Sequence, residues 1–221
     1  MTRAVLLDAL GTLVELQPPA PRLRRLLAAE GFELSEERAA EGFRAEIGYY
    51  LEHHLEGRDR ASLDNLRDRC AEELRAALAL PGLDHATARR AMLAALEFTA
   101  FPDVAPCLRE LRARGLRLVA VSNWDCSLPG WLASAGLLEL LDGVISSAAA
   151  GAAKPAAAVF RCGLELAGAE PAEALHVGDS LDNDVAGARA LGIRAVLIKR
   201  EGPPPGGVET IDTLAALPAL V

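Results

Sequence analysis

The chain has 221 residues, 51% of them hydrophobic and 24% charged, an ordinary globular balance with enough length for one sizeable core or a core plus a smaller insertion. Its 31 acids outnumber 23 bases, and a net charge of −8 argues against nucleic acid or an anionic membrane as the main partner. Asp8 breaks the N-terminal apolar run too early for a signal peptide, no stretch is long enough to span a membrane, and Cys70, Cys107, Cys126 and Cys162 are too scattered for a disulfide frame or zinc site, so a reduced, cytoplasmic protein is expected.

Val5, Leu6 and Leu7 form a continuous apolar run, the pattern of a strand buried on both faces, and it ends abruptly at Asp8. From about Pro18 to Ala100 no strand pattern is found. Helical spacing runs from Arg22 to Glu30 (Leu23, Leu26, Leu27) and stops at Gly31. Ser35 with Glu36 and Glu37 opens a second helix through Phe43, Ile47 and Leu51. Ser62 is expected to open a third, carrying Leu63, Leu66, Cys70 and Leu74, and Asp84 a fourth, with Met92, Leu93 and Leu96 on one face.

After Phe101-Pro102-Asp103, helices and strands alternate. Val104–Arg114, Leu128–Ser134, a helix from Pro155 to about Ala167, and Asn183–Leu191 read as helices. Leu116–Val121, Gly143–Ser146, Leu175–Val177 and Ala195–Ile198 read as strands, with an edge strand at Val208–Ile211 and a short last helix capped by Asp212. Ser147–Ala153 reads as a loop delivering Lys154. This alternation predicts an α/β fold, a parallel sheet with helices on both faces. The first strand is separated from the others by the helical block, so residues 16–100 form an all-helical insertion into a domain of residues 1–15 and 101–221.

Four strand ends carry polar residues: Asp8, Ser122-Asn123, Lys154 beyond its loop, and Asp179 with Asp184. In a parallel sheet these ends share one edge, where ligands bind. Three acids there would repel one another unless a hard divalent cation joined them, and Mg²⁺ favours carboxylate and water oxygens. Ser122 and the amides around Asn123 suit phosphoryl oxygens, Lys154 supplies positive charge, and Asp8 is free to attack phosphorus.

The pieces LLDALGTL (6–13), VSN (121–123), KP (154–155) and GDSLDND (178–184), in that order, resemble the motifs of the haloacid dehalogenase-like (HAD) hydrolase superfamily. The resemblance implies a Rossmann-like core with the helical block as its cap, which would close over the site. It implies that Asp8 is the nucleophile, that Asp8, Asp179 and the Leu10 backbone carbonyl bind Mg²⁺, and that Asp184 supports the metal site. Ser122, Asn123, Lys154 and Thr12 are the implied substrate-binding residues, with Ser122 and Lys154 also assisting catalysis. The implied partner is a small phosphorylated molecule, with no nucleic acid or membrane, and the protein a monomer or homodimer.

One position departs from the pattern. The superfamily's phosphatases usually carry a second Asp two residues after the nucleophile, and here that residue is Leu10, which can act as neither acid nor base. Turnover of poor leaving groups should fall by about 10²–10⁴-fold. Two other readings stand beside the phosphatase: a 2-haloacid dehalogenase, whose first motif also lacks that acid, and a binding protein without activity. His53-His54 are read as solvated or cap-packing residues, Tyr49-Tyr50 as packing residues and His176 as a core residue with a satisfied nitrogen; Trp124 and Asp125, just past Ser122-Asn123, fit a site-edge and a structural role equally, and Glu15 is a solvated hinge residue that would replace the missing acid only if it pointed inward.

Overall fold

The computed structural model describes residues 1–221, which divide into two compact units. One comprises Met1–Glu15 with Thr99–Val221; the other is Leu16–Phe98.

The first unit is built on a six-stranded parallel sheet. Its strands are β1 (Ala4–Leu7), β4 (Arg117–Ser122), β5 (Gly143–Ser146), β6 (Ala174–Gly178), β7 (Arg194–Ile198) and β8 (Thr210–Ile211), in the order β5-β4-β1-β6-β7-β8. Every neighbouring pair is parallel. β1 is central and all four of its residues are buried, as its unbroken apolar run requires. Register places Leu7 beside Ala120 of β4 and Val177 of β6, so the residues that follow these strands leave the sheet at one edge.

Helices α5 (Val104–Ala113), α6 (Leu128–Ser134), α7 (Ser147–Ala150), α8 (Ala157–Ala167) and α9 (Gly187–Ala190) connect the strands. α8 packs on β1, β4 and β5, and its Val159, Phe160 and Leu164 join Leu6, Val119 and Val121 in one core. α5 lies against β4 and against the 3₁₀ segment Leu214–Leu220. Strands alternating with covering helices make this the α/β, Rossmann-like fold expected.

The second unit contains α1 (Pro19–Ala29), α2 (Glu36–His53), α3 (Arg60–Leu78) and α4 (His85–Ala95). Their apolar faces meet in a core around Leu23, Leu27, Phe43, Leu66, Leu74 and Met92. The segments joining the two units, β2 (Val14–Leu16) and β3 (Phe98–Ala100), pair as a short ribbon where no strand was expected. Three residues each are too short to show a period.

Local chemistry corrects several boundaries. α3 starts at Arg60 rather than Ser62. Asp59 is the cap, and Ser62 completes the box: Ser62 N–H donates to Asp59 Oδ1 at 2.9 Å and Asp59 N–H donates to Ser62 Oγ at 3.0 Å. Ser35 and Asp84 do cap α2 and α4, accepting from the N–H groups of Arg38 and Thr87. The expected loop after β5 is partly α7, because Ser146 Oγ accepts from Ala149 N–H and turns Ser147–Ala150 into one helical turn. Pro155 lies outside α8, which begins at Ala157. Residues Leu181–Ala186 form a π-helical turn ahead of α9. Thr213, not Asp212, caps the last helical segment.

Candidate active site

The edge to which β1, β4 and β6 lead holds a buried polar network. Lys154 lies in its middle, with Nζ 2.5 Å from Asp8 Oδ1 and 2.6 Å from Asp184 Oδ1. Ser122, the last residue of β4, donates its hydroxyl to Asp8 Oδ1 at 2.9 Å. Asp8, Ser122, Lys154 and Asp184 are each at most 5% exposed. Asp179 is exposed, and ligand oxygens of Asp8, Asp179 and Asp184 all lie within 4.8 Å of one another. Sequence separations of 30 to 146 residues are thus closed by the strand order and by the segment after α7 that carries Lys154.

Two glycines make room for this crowding. A Cβ on Gly178 would stand 2.2 Å from Asp184 Cγ, and one on Gly11 would stand 2.3 Å from Asp179 Oδ2. Gly11 also has φ of +79°, so any side chain there would be strained as well as blocked.

The electrostatics follow from one ammonium serving two carboxylates. Burial pulls the Lys154 ammonium down, but Asp8 and Asp184 outweigh it and hold its pKa above the ordinary lysine value. Burial pushes the Asp8 carboxyl up against the pull of Lys154, and the charge of Asp184 adds to the rise. Burial acts on Asp184 too, yet it has three donors: His176 Nε2 at 2.9 Å, Lys154 Nζ, and Ser180 N–H at 3.0 Å. His176 and Lys154 hold Asp184 well below the usual carboxylate range. Desolvation, then the charges of Asp8 and Asp184, push Asp179 up to about 6.

Other expected site residues fall differently. Asn123 commits its side chain to the Lys154 backbone: Oδ1 accepts from Lys154 N–H at 2.7 Å and Nδ2 donates to Lys154 O at 3.1 Å. Its amide therefore positions Lys154, leaving only its main chain for a ligand. Thr12 is fully buried, and its hydroxyl meets no polar partner, so its side chain stands apart from the network. The tight turn over Ala9–Val14 folds it inward. Leu10 is 44% exposed and Glu15 is exposed on β2. Trp124 and Asp125 are both buried; Asp125 Oδ1 accepts from Ser127 N–H at 2.6 Å.

The sequence pattern places His176 in the core with a satisfied nitrogen. It is buried in β6 with its ring edge-on to Phe160, but its Nε2 bonds Asp184, and because a carboxylate only accepts, that nitrogen carries the hydrogen. A histidine in a buried strand eight residues before an acid was the available signal. His53 and His54 each donate Nδ1–H to a main-chain carbonyl, of Tyr49 and Leu51, and His53 stacks on Tyr49. All four cysteines are free. No helix is long and apolar enough to cross a membrane.

A sheet edge of this composition, on this fold, defines a hydrolase class. The chain belongs to the haloacid dehalogenase-like hydrolases, whose family model matches residues 2–192. It is 47% identical over 91 residues to the human haloacid dehalogenase-like hydrolase domain-containing protein 3, covering 41% of this chain and 36% of that protein. Over 135 residues it is 36% identical to Phosphatase MT3486 of Mycobacterium tuberculosis (strain CDC 1551 / Oshkosh), covering 58% of this chain and 61% of the relative. The matched segments thus span one third to three fifths of these relatives' lengths. Among solved structures, the L-2-haloacid dehalogenase of Xanthobacter autotrophicus superposes with a TM-score of 0.72 at 25% identity, over 100% of this chain and 98% of that one.

Proposed function

We propose that the protein is a Mg²⁺-dependent phosphatase acting on a small phosphorylated metabolite, with Asp8 as nucleophile. The observation that carries this reading is the meeting of three carboxylates within 4.8 Å beside a single buried ammonium. Such a cluster repels an anionic substrate unless more positive charge is present, and its hard oxygen donors fit Mg²⁺. Gly11 and Gly178 leave the space in which the acids close up, which supports the same fit. Asp8, Asp179 and the Leu10 carbonyl would hold the ion, with Asp184 supporting them. When bound, Mg²⁺ neutralises and orients the phosphoryl oxygens.

The chain's own residues then divide the work. Ser122 and Lys154 hold Asp8 Oδ1, leaving Oδ2 to attack phosphorus. A phosphorus–oxygen bond to Asp8 forms as the bond to the leaving oxygen breaks; water then attacks phosphorus, the bond between phosphorus and the Asp8 oxygen breaks, the carboxylate is restored, and phosphate leaves with the proton that water gives up to it or to solvent. Lys154 places its positive charge where the transferring group gathers negative charge. Leu10 offers no proton, so the leaving group departs as an oxyanion, and aryl and acyl phosphates are favoured over alkyl phosphates. The Mycobacterium relative bears the name phosphatase, which supports the class of reaction.

The likeness to a dehalogenase favours a second reading, attack of Asp8 on carbon with loss of halide. The acid cluster weighs against it, since a haloacid's carboxylate would face Asp179 and Asp184 uncompensated.

The test is a panel of p-nitrophenyl phosphate, acetyl phosphate, alkyl phosphates and 2-chloropropionate, with Mg²⁺ or EDTA. Metal-dependent phosphate release is expected; metal-independent chloride release overturns the reading. Leu10→Asp should raise turnover of alkyl phosphates more than of aryl phosphates, by up to about 10²-fold. Equal gains on both would remove the missing acid as the limiting defect.

A further inference from the structure

Arg200 lies two residues beyond β7 and reaches back to the turn that follows β1. Its Nη2 donates to Thr12 O at 2.7 Å and its Nε to Gly11 O at 3.3 Å. Its Nη1 donates to Asp103 Oδ2 at 3.0 Å, and the guanidinium carbon stands 3.7 Å from the centroid of the Phe101 ring. Asp103 Oδ2 is fixed in turn by the Thr213 hydroxyl at 2.7 Å and the Leu214 N–H at 2.6 Å. The side chains of Arg200 and Asp103 are 18% and 16% exposed, so water screens the pair little. In the sheet, β6 lies between β1 and β7. The arginine therefore spans the strand end from which Asp179 emerges.

What it grips matters. Gly11 is the residue packed against the Asp179 carboxylate, so a small drift of this turn changes the distance between Asp179 and Asp8. Carbonyl dipoles and a planar five-donor fork suit each other, and lysine cannot reproduce that fork. Asp103 offsets the charge of Arg200, leaving it to act by position.

We propose that Arg200 is a positioning residue, a clamp that holds the Gly11–Thr12 turn against Asp179 and so sets the spacing of the carboxylates. Its relevance to turnover rests on the phosphatase reading; its grip on the turn does not. The direct test is backbone amide exchange by NMR on the metal-free protein. The N–H groups of Gly11, Leu13 and Val14 all bond within this turn. In Arg200→Ala their exchange should quicken tenfold or more, with the amides joining β4 to β5 unchanged, and the Kd for Mg²⁺ measured by calorimetry should rise about tenfold. Arg200→Lys should lie between. Should Arg200→Ala not fold, Asp103→Asn, which removes the negative charge that anchors the fork at its far end, should show the same local pattern at lower amplitude. Unchanged exchange at residues 11–14, or equal quickening across the whole sheet, overturns the clamp. A wild-type protein that hydrolyses no phosphate overturns the phosphatase reading and leaves the exchange result to decide the clamp.

Discussion

In the α/β unit, Asp8, Ser122, Lys154, His176 and Asp184 are buried and bonded to one another, whereas the one buried carboxylate of the helical unit, Glu46, has the Cys70 thiol as its partner. Elsewhere the helical unit keeps its charges at the surface, as in the pairing of Arg89 with Asp64 and Asp68. Buried charge is costly, and replacing it with apolar packing is often neutral or stabilising. The helical unit follows that rule, with an almost wholly apolar core and a carboxyl that burial pushes up to about 7 against the Cys70 thiol's pull. The sheet edge breaks it, gathering two acids around one lysine. A fold that retains incompletely compensated charge in one place and avoids it in another marks that place for chemistry.

The largest expected effect lies at the centre of the network. Asp8→Asn keeps the shape and removes the attacking carboxylate, so phosphate hydrolysis should fall by about 10⁴-fold or more with circular dichroism unchanged. Retained activity would remove Asp8 from the nucleophile role. Lys154→Met leaves Asp8 and Asp184 buried without their ammonium, and urea denaturation at pH 7 should show a loss of about 3–5 kcal/mol. A loss under about 1 kcal/mol would mean that the lysine contributes little to holding the acids in place.

Glu46 sharpens the contrast from the other side. Its folded pKa of about 7 lies above the ordinary 4.5, so the folded state keeps a proton that the unfolded chain releases. Stability is therefore lost as pH rises from about 4.5 through 7, and the penalty is complete above 7. Over that window Glu46 alone should account for a loss of about 3 kcal/mol, so Glu46→Gln should be flatter than wild type in urea titrations at pH 5 and pH 8, keeping only the dependence that Asp8 and Asp179 contribute. A wild-type profile as flat as the variant's would place Glu46 in a wetter setting. The smallest effect belongs to a helix end: Ser35→Ala removes the α2 cap and should cost about 1 kcal/mol at any pH near neutrality.

Much of the fold was legible because its signals are local. The unbroken run Val5-Leu6-Leu7, the glycine stops and the caps at Ser35 and Asp84 each act within a few residues. The convergence of Asp8, Ser122, Lys154 and Asp184 was legible at one remove, since a parallel sheet must bring its strand ends to one edge. Where two residues competed for one cap, as Asp59 and Ser62 do, composition did not choose between them; the capping box uses both. The ribbon of β2 and β3 was missed because its stability comes from a partner more than eighty residues away.

By itself the sequence determined the α/β alternation, the inserted helical block, and the polar residues delivered to one edge of the sheet, because apolar period and capping chemistry are properties of neighbours along the chain. Only the tertiary structure decided what each polar group does there. It turned the Asn123 amide onto the Lys154 backbone, bonded His176 to Asp184, buried the Thr12 hydroxyl, and carried Arg200 across β6 to the Gly11–Thr12 turn. Most of these pairings join residues far apart in the chain, and a hydrogen bond over such a distance leaves no periodic trace; it exists only once the strands are ordered and the space between them is filled.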